Sequence, residues 1–150
     1  MTCPTGYQKK EYNGYEFCFK LGKVTYLQAK QNCESNGLSL VEIDSEAKAL
    51  ALDSIGASHS LPYDYAWLGL VCPSRSDDCN RNLHLWQWER SGTDLTTTSG
   101  YQSRFYKDSS GNIYGGGVGE YCVHWWYSGH WAPQPCHHGH LYNTLCEKVQ

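Results

Sequence analysis

Eight cysteines and a group of histidines near the C-terminal end are the residues of this chain best suited to chemistry. No Cys-x-x-Cys pair occurs, so a structural zinc site is not expected. An even number of dispersed cysteines in a small protein is typical of disulfides and of an oxidising compartment. The cluster of His137, His138 and His140 offers imidazole ligands for a metal, but no carboxylate lies near it in sequence. We therefore expect the histidines to form a solvated loop.

Catalytic motifs are absent from the sequence. It contains no Gly-x-Ser-x-Gly, no His-Glu-x-x-His and no phosphate-binding loop. With every cysteine in a disulfide, no thiolate nucleophile remains. Asp77 and Asp78 are adjacent, and nothing marks them as an acid–base pair. The sequence predicts that the protein is not an enzyme.

Composition limits the class of protein and its partners. The 150 residues are 40% hydrophobic and 18% charged, which is typical of a globular domain, and we expect residues 1–150 to form one. A net charge of −3 argues against nucleic acid as a partner. No apolar run reaches the roughly 18 residues of a membrane span. With the paired cysteines, we expect a mature, secreted, extracellular protein without an N-glycosylation acceptor.

Two helices are predicted in the first third of the chain. Thr25 is a candidate N-cap for a helix that ends at Asn36-Gly37, where glycine supplies the left-handed stop. Residues 38–43 predict a buried strand. Ser45 is the expected N-cap of a second helix, closed by Gly56, with Leu50, Ala51 and Ile55 at helical spacing.

Short strands and long polar loops are predicted for the rest of the chain. A β-prone segment at 15–20 follows a turn at Asn13-Gly14, and the later strands are expected at 67–71, 85–88, 121–127 and 141–147. The glycine-rich stretch 91–119 contains no clear element, and loops this long are usually functional or disordered. Two helices followed by strands predict an α+β domain.

Five segments carry a resemblance to a known family. They are Cys3-Pro4-Thr5-Gly6-Tyr7, Leu40-Val41-Glu42-Ile43-Asp44-Ser45-Glu46, Trp67-Leu68-Gly69-Leu70, Trp86-Gln87-Trp88 and the stretch 131–136. In this order and spacing the sequence resembles the long form of the C-type lectin-like domain, from Cys3 to Lys148, and in particular its divergent, calcium-independent secreted invertebrate members. The resemblance implies two helices, small antiparallel sheets, a long loop region and a core that contains Trp67, Trp86, Trp88 and Trp131.

The resemblance also implies a set of disulfides. Cys33–Cys146 would join the first helix to the last strand, Cys122–Cys136 would hold the end of the long loop, and Cys3–Cys18 would close the N-terminal hairpin. Cys72 and Cys79 remain, and they either pair with each other or give one of them a partner in another chain.

Calcium-dependent sugar binding is the family's usual activity, and this chain lacks most of the expected ligands. Ca²⁺ requires about six to eight oxygen ligands. The resemblance places them in a proline-containing triplet of the long loop, a following glutamate and a Trp-Asn-Asp triplet. No proline lies between Gln102 and Tyr121, and the second triplet reads Trp131-Ala132-Pro133; Glu120 alone matches. We expect no calcium at the sugar site and no required cofactor. A secondary structural calcium at Asp44, Ser45, Glu46 and Glu147 is left open.

A metal-independent sugar site is the alternative that the residues support. If Val123 and Trp125 face the core, as the resemblance implies, Glu120, His124 and Trp126 point the other way. Aromatic rings stack on the apolar faces of sugars, and polar side chains pair with the hydroxyls. The predicted sugar-binding residues are Tyr106, Asp108, Asn112, Tyr114, Glu120, His124, Trp126 and Gln134.

N-acetylhexosamines, GlcNAc and GalNAc, are the predicted ligands because an acetamido methyl suits an aromatic pocket. The family analogy implies a role in innate defence, and a homodimer or small oligomer would supply avidity. Protein binding through the same surface is the second reading. Ice binding is the third, although Thr96-Thr97-Thr98 lacks a flat regular array.

Overall fold

Two helices and eight short strands make up the fold in the part of the chain that the structure describes. The structure, a computed structural model, describes residues 1–57, 65–97, 121–125, 130–136 and 142–149. The helices are α1 (Tyr26–Glu34) and α2 (Glu46–Ala57), and the strands are β1 (Gln8–Tyr12), β2 (Tyr15–Val24), β3 (Leu38–Leu40), β4 (Ala66–Val71), β5 (Gln87–Trp88), β6 (Cys122–Trp125), β7 (Trp131–Gln134) and β8 (Tyr142–Lys148). The predicted α+β class is confirmed.

The chain begins with a β-hairpin formed by β1 and β2. Its two-residue turn, Asn13-Gly14, has φ values of 50° and 82°, and Asn and Gly are the residues that best tolerate positive φ. The turn places Tyr12 opposite Tyr15. Strand β2 then pairs with the last strand, β8, so that Cys18 lies opposite Cys146. The two ends of the sequence therefore belong to the same sheet.

Thr25 starts helix α1 as the sequence predicts. Its hydroxyl accepts a hydrogen bond from the Gln28 amide at 3.2 Å, and the Gln28 side chain accepts from the Thr25 amide at 2.9 Å, which is a complete capping box. The helix ends at Glu34, and Gly37 has a φ of 71°. Ala29 and Cys33 are buried on the inner side of α1, which packs against β8.

Helix α2 begins after Ser45, whose hydroxyl accepts a hydrogen bond from the Lys48 amide at 3.1 Å. Of the residues predicted at helical spacing, Ala51 and Ile55 are buried but Leu50 is 52% exposed, and Leu52 is buried as well. The buried face also includes Lys48, which is 3% exposed. Gly56 lies within the helix and does not close it.

The eight described strands form one sheet in the order β1-β2-β8-β4-β6-β7, in which β3 also pairs with β8 and β5 pairs with β4. Strands β4 and β8 meet in parallel through a single pair, Ala66 and Asn143, and the other pairings are antiparallel. Strand β4 is buried along nearly its whole length. Gly69 lies in β4 at a close approach, because a Cβ there would come within 3.3 Å of the Val41 carbonyl oxygen.

Aromatic side chains fill the interior. The predicted core residues Trp67, Trp86, Trp88 and Trp131 are each at most 2% exposed. Trp88 and Trp131 meet edge to face with ring centroids 5.8 Å apart.

Four disulfides connect the elements. They are Cys3–Cys18, Cys33–Cys146, Cys72–Cys79 and Cys122–Cys136, the pairings that the family resemblance implies together with the local pairing of the remaining two cysteines. No cysteine is free. The Cys33–Cys146 bond closes a separation of 113 residues. In the chain-entropy account, a closure of this length contributes about 5 kcal/mol.

Two predicted strands are shorter in the structure. The strand expected at 38–43 ends at Leu40 because the Glu42 amide donates to the side-chain carboxylate of Glu147 at 2.8 Å and not to a backbone carbonyl of β8. The strand expected at 85–88 is restricted to Gln87–Trp88. The preceding residues Leu83–Leu85 form a 3₁₀ turn, which the Asn82 side chain caps by accepting from the His84 amide.

Candidate functional site

The β6–β7 hairpin holds the described part of the predicted sugar site. Strands β6 and β7 pair from Cys122 opposite Gln134 to Trp125 opposite Trp131. The Cys122–Cys136 disulfide closes the hairpin at its open end. Val123 and Trp125 are fully buried in the core, in agreement with the predicted alternation along this strand. This end of the hairpin is therefore covalently closed beside Tyr121.

His124 lies on the opposite face of β6 from Val123 and Trp125. It is 2% exposed and packs edge to face against Tyr142, with centroids 4.3 Å apart, and against Tyr65 at 5.6 Å. The imidazole is thus part of an aromatic cluster beneath the surface.

Strand β7 supplies the triplet in which the family usually holds calcium. Trp131, Ala132 and Pro133 are all buried, and neither Ala132 nor Pro133 carries a side-chain oxygen. Gln134, the last residue of β7, is partly exposed, and among the four residues of this strand it alone has a side-chain amide. The described residues of β7 therefore do not fit a calcium ion at this position.

Several predicted site residues lie outside the described residues. They are Tyr106, Asp108, Asn112, Tyr114, Glu120 and Trp126, together with His137, His138 and His140 of the histidine cluster.

A buried lysine occupies the second candidate calcium position. Lys48 of α2 and Glu147 of β8 form an ion pair, and both side chains are at most 6% exposed. The second Glu147 oxygen accepts the Glu42 amide. Burial raises the pKa of the Glu147 carboxyl, and the adjacent Lys48 ammonium partly offsets this. The two carboxylate oxygens already have a cation and a donor as partners.

The other candidate ligands of that position do not gather around Glu147. Asp44 and Glu46 are exposed, and the Ser45 hydroxyl caps α2. Searching the described ranges for three or more grouped His, Cys, Asp or Glu side chains finds no such group. The residues present do not fit a structural calcium here, because the Glu147 carboxylate that would have to bind the ion is already paired with the Lys48 ammonium.

A second buried carboxylate fixes the turn after β5. The Glu42 side chain, which is 6% exposed, accepts hydrogen bonds from the Arg90 amide at 2.7 Å and the Ser91 amide at 3.2 Å. The Arg90 guanidinium lies 3.8 Å from the other Glu42 oxygen. Glu42 and Glu147 thereby link α2, β8 and the segment after β5 through polar contacts.

A cavity of about 390 Å³ lies between α1 and the Cys72–Cys79 loop. One wall is a polar cluster, in which Glu89 accepts the Tyr26 hydroxyl with one oxygen and pairs with Lys30 through the other at 2.6 Å. Burial, followed by the contact with Glu89, raises the pKa of Tyr26 far above its usual value. A neighbouring cavity of about 190 Å³ shares Tyr26, Lys30 and Glu89 as lining residues.

Lys48 and the Tyr26–Glu89 contact were not identified from the sequence. The signal for Lys48 was present, since it lies four and seven residues before Leu52 and Ile55 on one helical face. A lysine on an apolar face requires a carboxylate partner. No comparable signal exists for Tyr26 and Glu89, which are 63 residues apart.

Comparison with known proteins relates this chain to lectins in two independent ways. The model of the Lectin C-type domain matches residues 22–148. The hepatic lectin of Gallus gallus is 29% identical over 148 residues, which are 97% of this chain and 61% of that protein. The chain thus spans about three fifths of that relative's length.

Solved structures share the fold. The carbohydrate-recognition domain of the mouse scavenger receptor C-type lectin superposes with a TM-score of 0.65 at 24% identity, covering 99% of each chain. A calcium-independent type II antifreeze protein superposes with a TM-score of 0.58 at 19% identity, covering 97% of this chain and 92% of that one. None of the helices described here has the length and apolarity needed to cross a membrane. The chain belongs to the C-type lectin domain family, whose members are binding modules and not enzymes.

Proposed function

We propose that this domain binds glycans that contain GlcNAc or GalNAc, without a calcium ion between sugar and protein. The observation that carries the proposal is the composition of β7, where buried Ala132 and Pro133 offer no side-chain oxygen to a metal. A calcium-bridged sugar needs several carboxylate and amide ligands at one point. Direct contacts from the protein would have to replace them.

The proposed sugar contacts come from the long loop and the two hairpin strands. Trp126 or Tyr114 would stack on the sugar ring, because a saccharide presents an apolar C–H face. Polar side chains would pair with the hydroxyl and acetamido groups, and these are Asp108, Asn112, Glu120 and Gln134, with Tyr106 beside them. His124 is nearly inaccessible. We therefore assign it the role of supporting the strand from beneath.

The proposed setting is extracellular. Four disulfides are compatible with secretion into an oxidising compartment. A shallow single site binds a monosaccharide weakly, so a homodimer would give the avidity required for recognising glycans in innate defence. Size-exclusion chromatography with light scattering tests the dimer.

Titration calorimetry with GlcNAc and GalNAc tests the sugar proposal. We expect the same affinity in EDTA and in millimolar Ca²⁺. Binding that occurs in Ca²⁺ and disappears in EDTA would overturn the metal-independent mechanism. No binding in either condition would overturn the recognition of GlcNAc and GalNAc by this surface.

Tyr114→Ala tests the stacking role within the same titration. Losing an aromatic–sugar contact is expected to weaken binding about tenfold. Tyr12→Ala is the matched control, because Tyr12 is 45% exposed on the N-terminal hairpin, away from β6 and β7. Equal affinities of the two variants would contradict the assignment of Tyr114.

A further inference from the structure

The cavity between α1 and the Cys72–Cys79 loop has the features of a second ligand site. Its volume of about 390 Å³ falls within the range of small-molecule pockets. Apolar lining comes from Leu27, Val71, Pro73 and Tyr121. Leu27 is 42% exposed, so an apolar surface is left open to solvent on the α1 side.

The walls of this cavity are held by covalent and hydrogen-bonded contacts. The Cys122–Cys136 disulfide lines one side, and the Cys72 amide donates to the Tyr121 carbonyl at 2.9 Å. Glu89, on the opposite wall, is fixed through its amide to the Gly69 carbonyl at 2.8 Å. A preformed cavity reduces the ordering cost of binding.

The charges around the cavity favour an anion. One oxygen of Glu89 accepts from the Tyr26 hydroxyl and the other pairs with the Lys30 ammonium, so the charge of this carboxylate is partly compensated. Lys30 uses one of its three N–H donors in that contact. Arg75 also lines the cavity, and its side chain has no ion pair or hydrogen bond within the described residues. Among the residues that line the cavity, two cations against one carboxylate leave a net positive charge.

The backbone at Arg75 is a second indication. Its φ is 47°, in the left-handed region that costs free energy for any residue with a Cβ. The Cys72–Cys79 disulfide and a hydrogen bond from the Arg75 amide to the Cys72 carbonyl at 3.2 Å hold this turn. Glycine would be more stable here, yet an arginine occupies the rim of the cavity.

We propose that this cavity binds an anionic sugar residue, carboxylated or sulfated, with Arg75 and Lys30 contacting the anion and Leu27, Pro73 and Tyr121 contacting the ring. The guanidinium fork matches both kinds of oxyanion. The proposal relies on the proposed function in one respect, namely that the ligand is a saccharide. The cavity borders the β6–β7 hairpin at the Cys122–Cys136 disulfide, whereas Arg75, Lys30 and Leu27 lie outside that hairpin.

The test compares ligands that differ only in charge. Methyl glucuronoside and methyl glucoside differ by a carboxylate in place of a hydroxymethyl group, and glucose 6-sulfate examines the sulfated form. We expect at least one charged sugar to bind about tenfold or more tightly than the neutral one. The preference between the two charged sugars identifies the anion. Equal affinity for charged and neutral sugars, or binding of none of them, would overturn the proposal.

Arg75→Gly separates binding from folding. Glycine relieves the positive φ, so the variant is expected to be at least as stable as the natural protein while losing the charge preference. Arg81→Gly is the matched control, since Arg81 is exposed on the same segment and does not line the cavity. Retention of the charge preference in Arg75→Gly, or its loss in Arg81→Gly, would refute the role of Arg75.

Titrating GlcNAc and GalNAc into the same variants distinguishes the two proposals. If these neutral sugars fail to bind but methyl glucuronoside binds through Arg75, the N-acetylhexosamine proposal fails and the anion site remains. If they bind equally to the natural protein and to Arg75→Gly while no charged sugar is preferred, the anion site alone fails.

Discussion

Replacing Lys48 by methionine should strongly destabilise the fold. The Lys48–Glu147 pair is buried, with side-chain exposures of 4% and 6%, and methionine would leave the Glu147 carboxylate without its cation. Removing one partner of a buried ion pair typically costs about 3–5 kcal/mol. For a domain of this size, such a loss lowers Tm by about 6–20 °C. Equilibrium unfolding in urea, with the disulfides intact, gives the free energy directly.

The double variant Lys48→Met, Glu147→Gln should recover most of the lost stability. The glutamine amide oxygen can still accept the Glu42 amide, and no unpaired charge remains. Lys9→Met is the control, because Lys9 pairs with Glu16 at 3.0 Å but is 42% exposed, and solvent screens an exposed pair so that it adds little to stability. A cost for Lys48→Met no larger than that for Lys9→Met would refute the reasoning. So would a double variant no more stable than Lys48→Met.

Two further changes probe α1 and the cavity loop. The pKa of Tyr26 is raised in the folded state, so its phenol stays protonated there, whereas in the unfolded chain it ionises above about pH 10. The stabilisation of the fold by Tyr26 is therefore complete below about pH 10 and is lost as the pH rises further. Between neutral pH and about pH 10.5, the free energy of unfolding should therefore fall by about 0.8 kcal/mol less in Tyr26→Phe than in the natural protein, as measured by urea unfolding. Replacing Cys72 and Cys79 by alanine opens a loop with a sequence separation of 7 and should cost about 2.5 kcal/mol, with the far-ultraviolet circular dichroism retained.

Each of these expectations has a contrary result. Parallel pH profiles for Tyr26→Phe and the natural protein would show that Tyr26 ionises equally in the folded and unfolded states. A stability loss below about 1 kcal/mol on removing Cys72–Cys79 would show that this disulfide does not restrict the unfolded chain as the entropy account requires.

Sequence motifs of a few residues predicted the start of α1, the first hairpin turn and strand β4. Thr25 and Gln28 encode a capping box within four residues, and Asn13-Gly14 encodes a hairpin turn, so both were readable from the sequence. The buried β4 strand was likewise predictable, since its tetrapeptide around Gly69 is apolar throughout.

Contacts between distant residues limited the remaining predictions. The strand after Leu38 stops early because Glu42 donates its amide to Glu147, 105 residues away, which no local pattern reveals. Apolar character alone does not set the orientation of α2, because Leu50 is exposed whereas Lys48 takes part in the buried face through its pairing with Glu147. The pairing of Glu147 with Lys48 was hidden from the sequence for the same reason.

The pairing of β2 with β8 has a consequence for engineering this domain. Met1 and Val149, at the two ends of the described chain, line the same cavity of about 460 Å³, so both lie in the same part of the surface. A short flexible linker could join them without disturbing the sheet, and the chain could then be opened elsewhere as a circular permutant. Fusion partners attached at either end would emerge at one shared location, beside the N-terminal hairpin and the last strand.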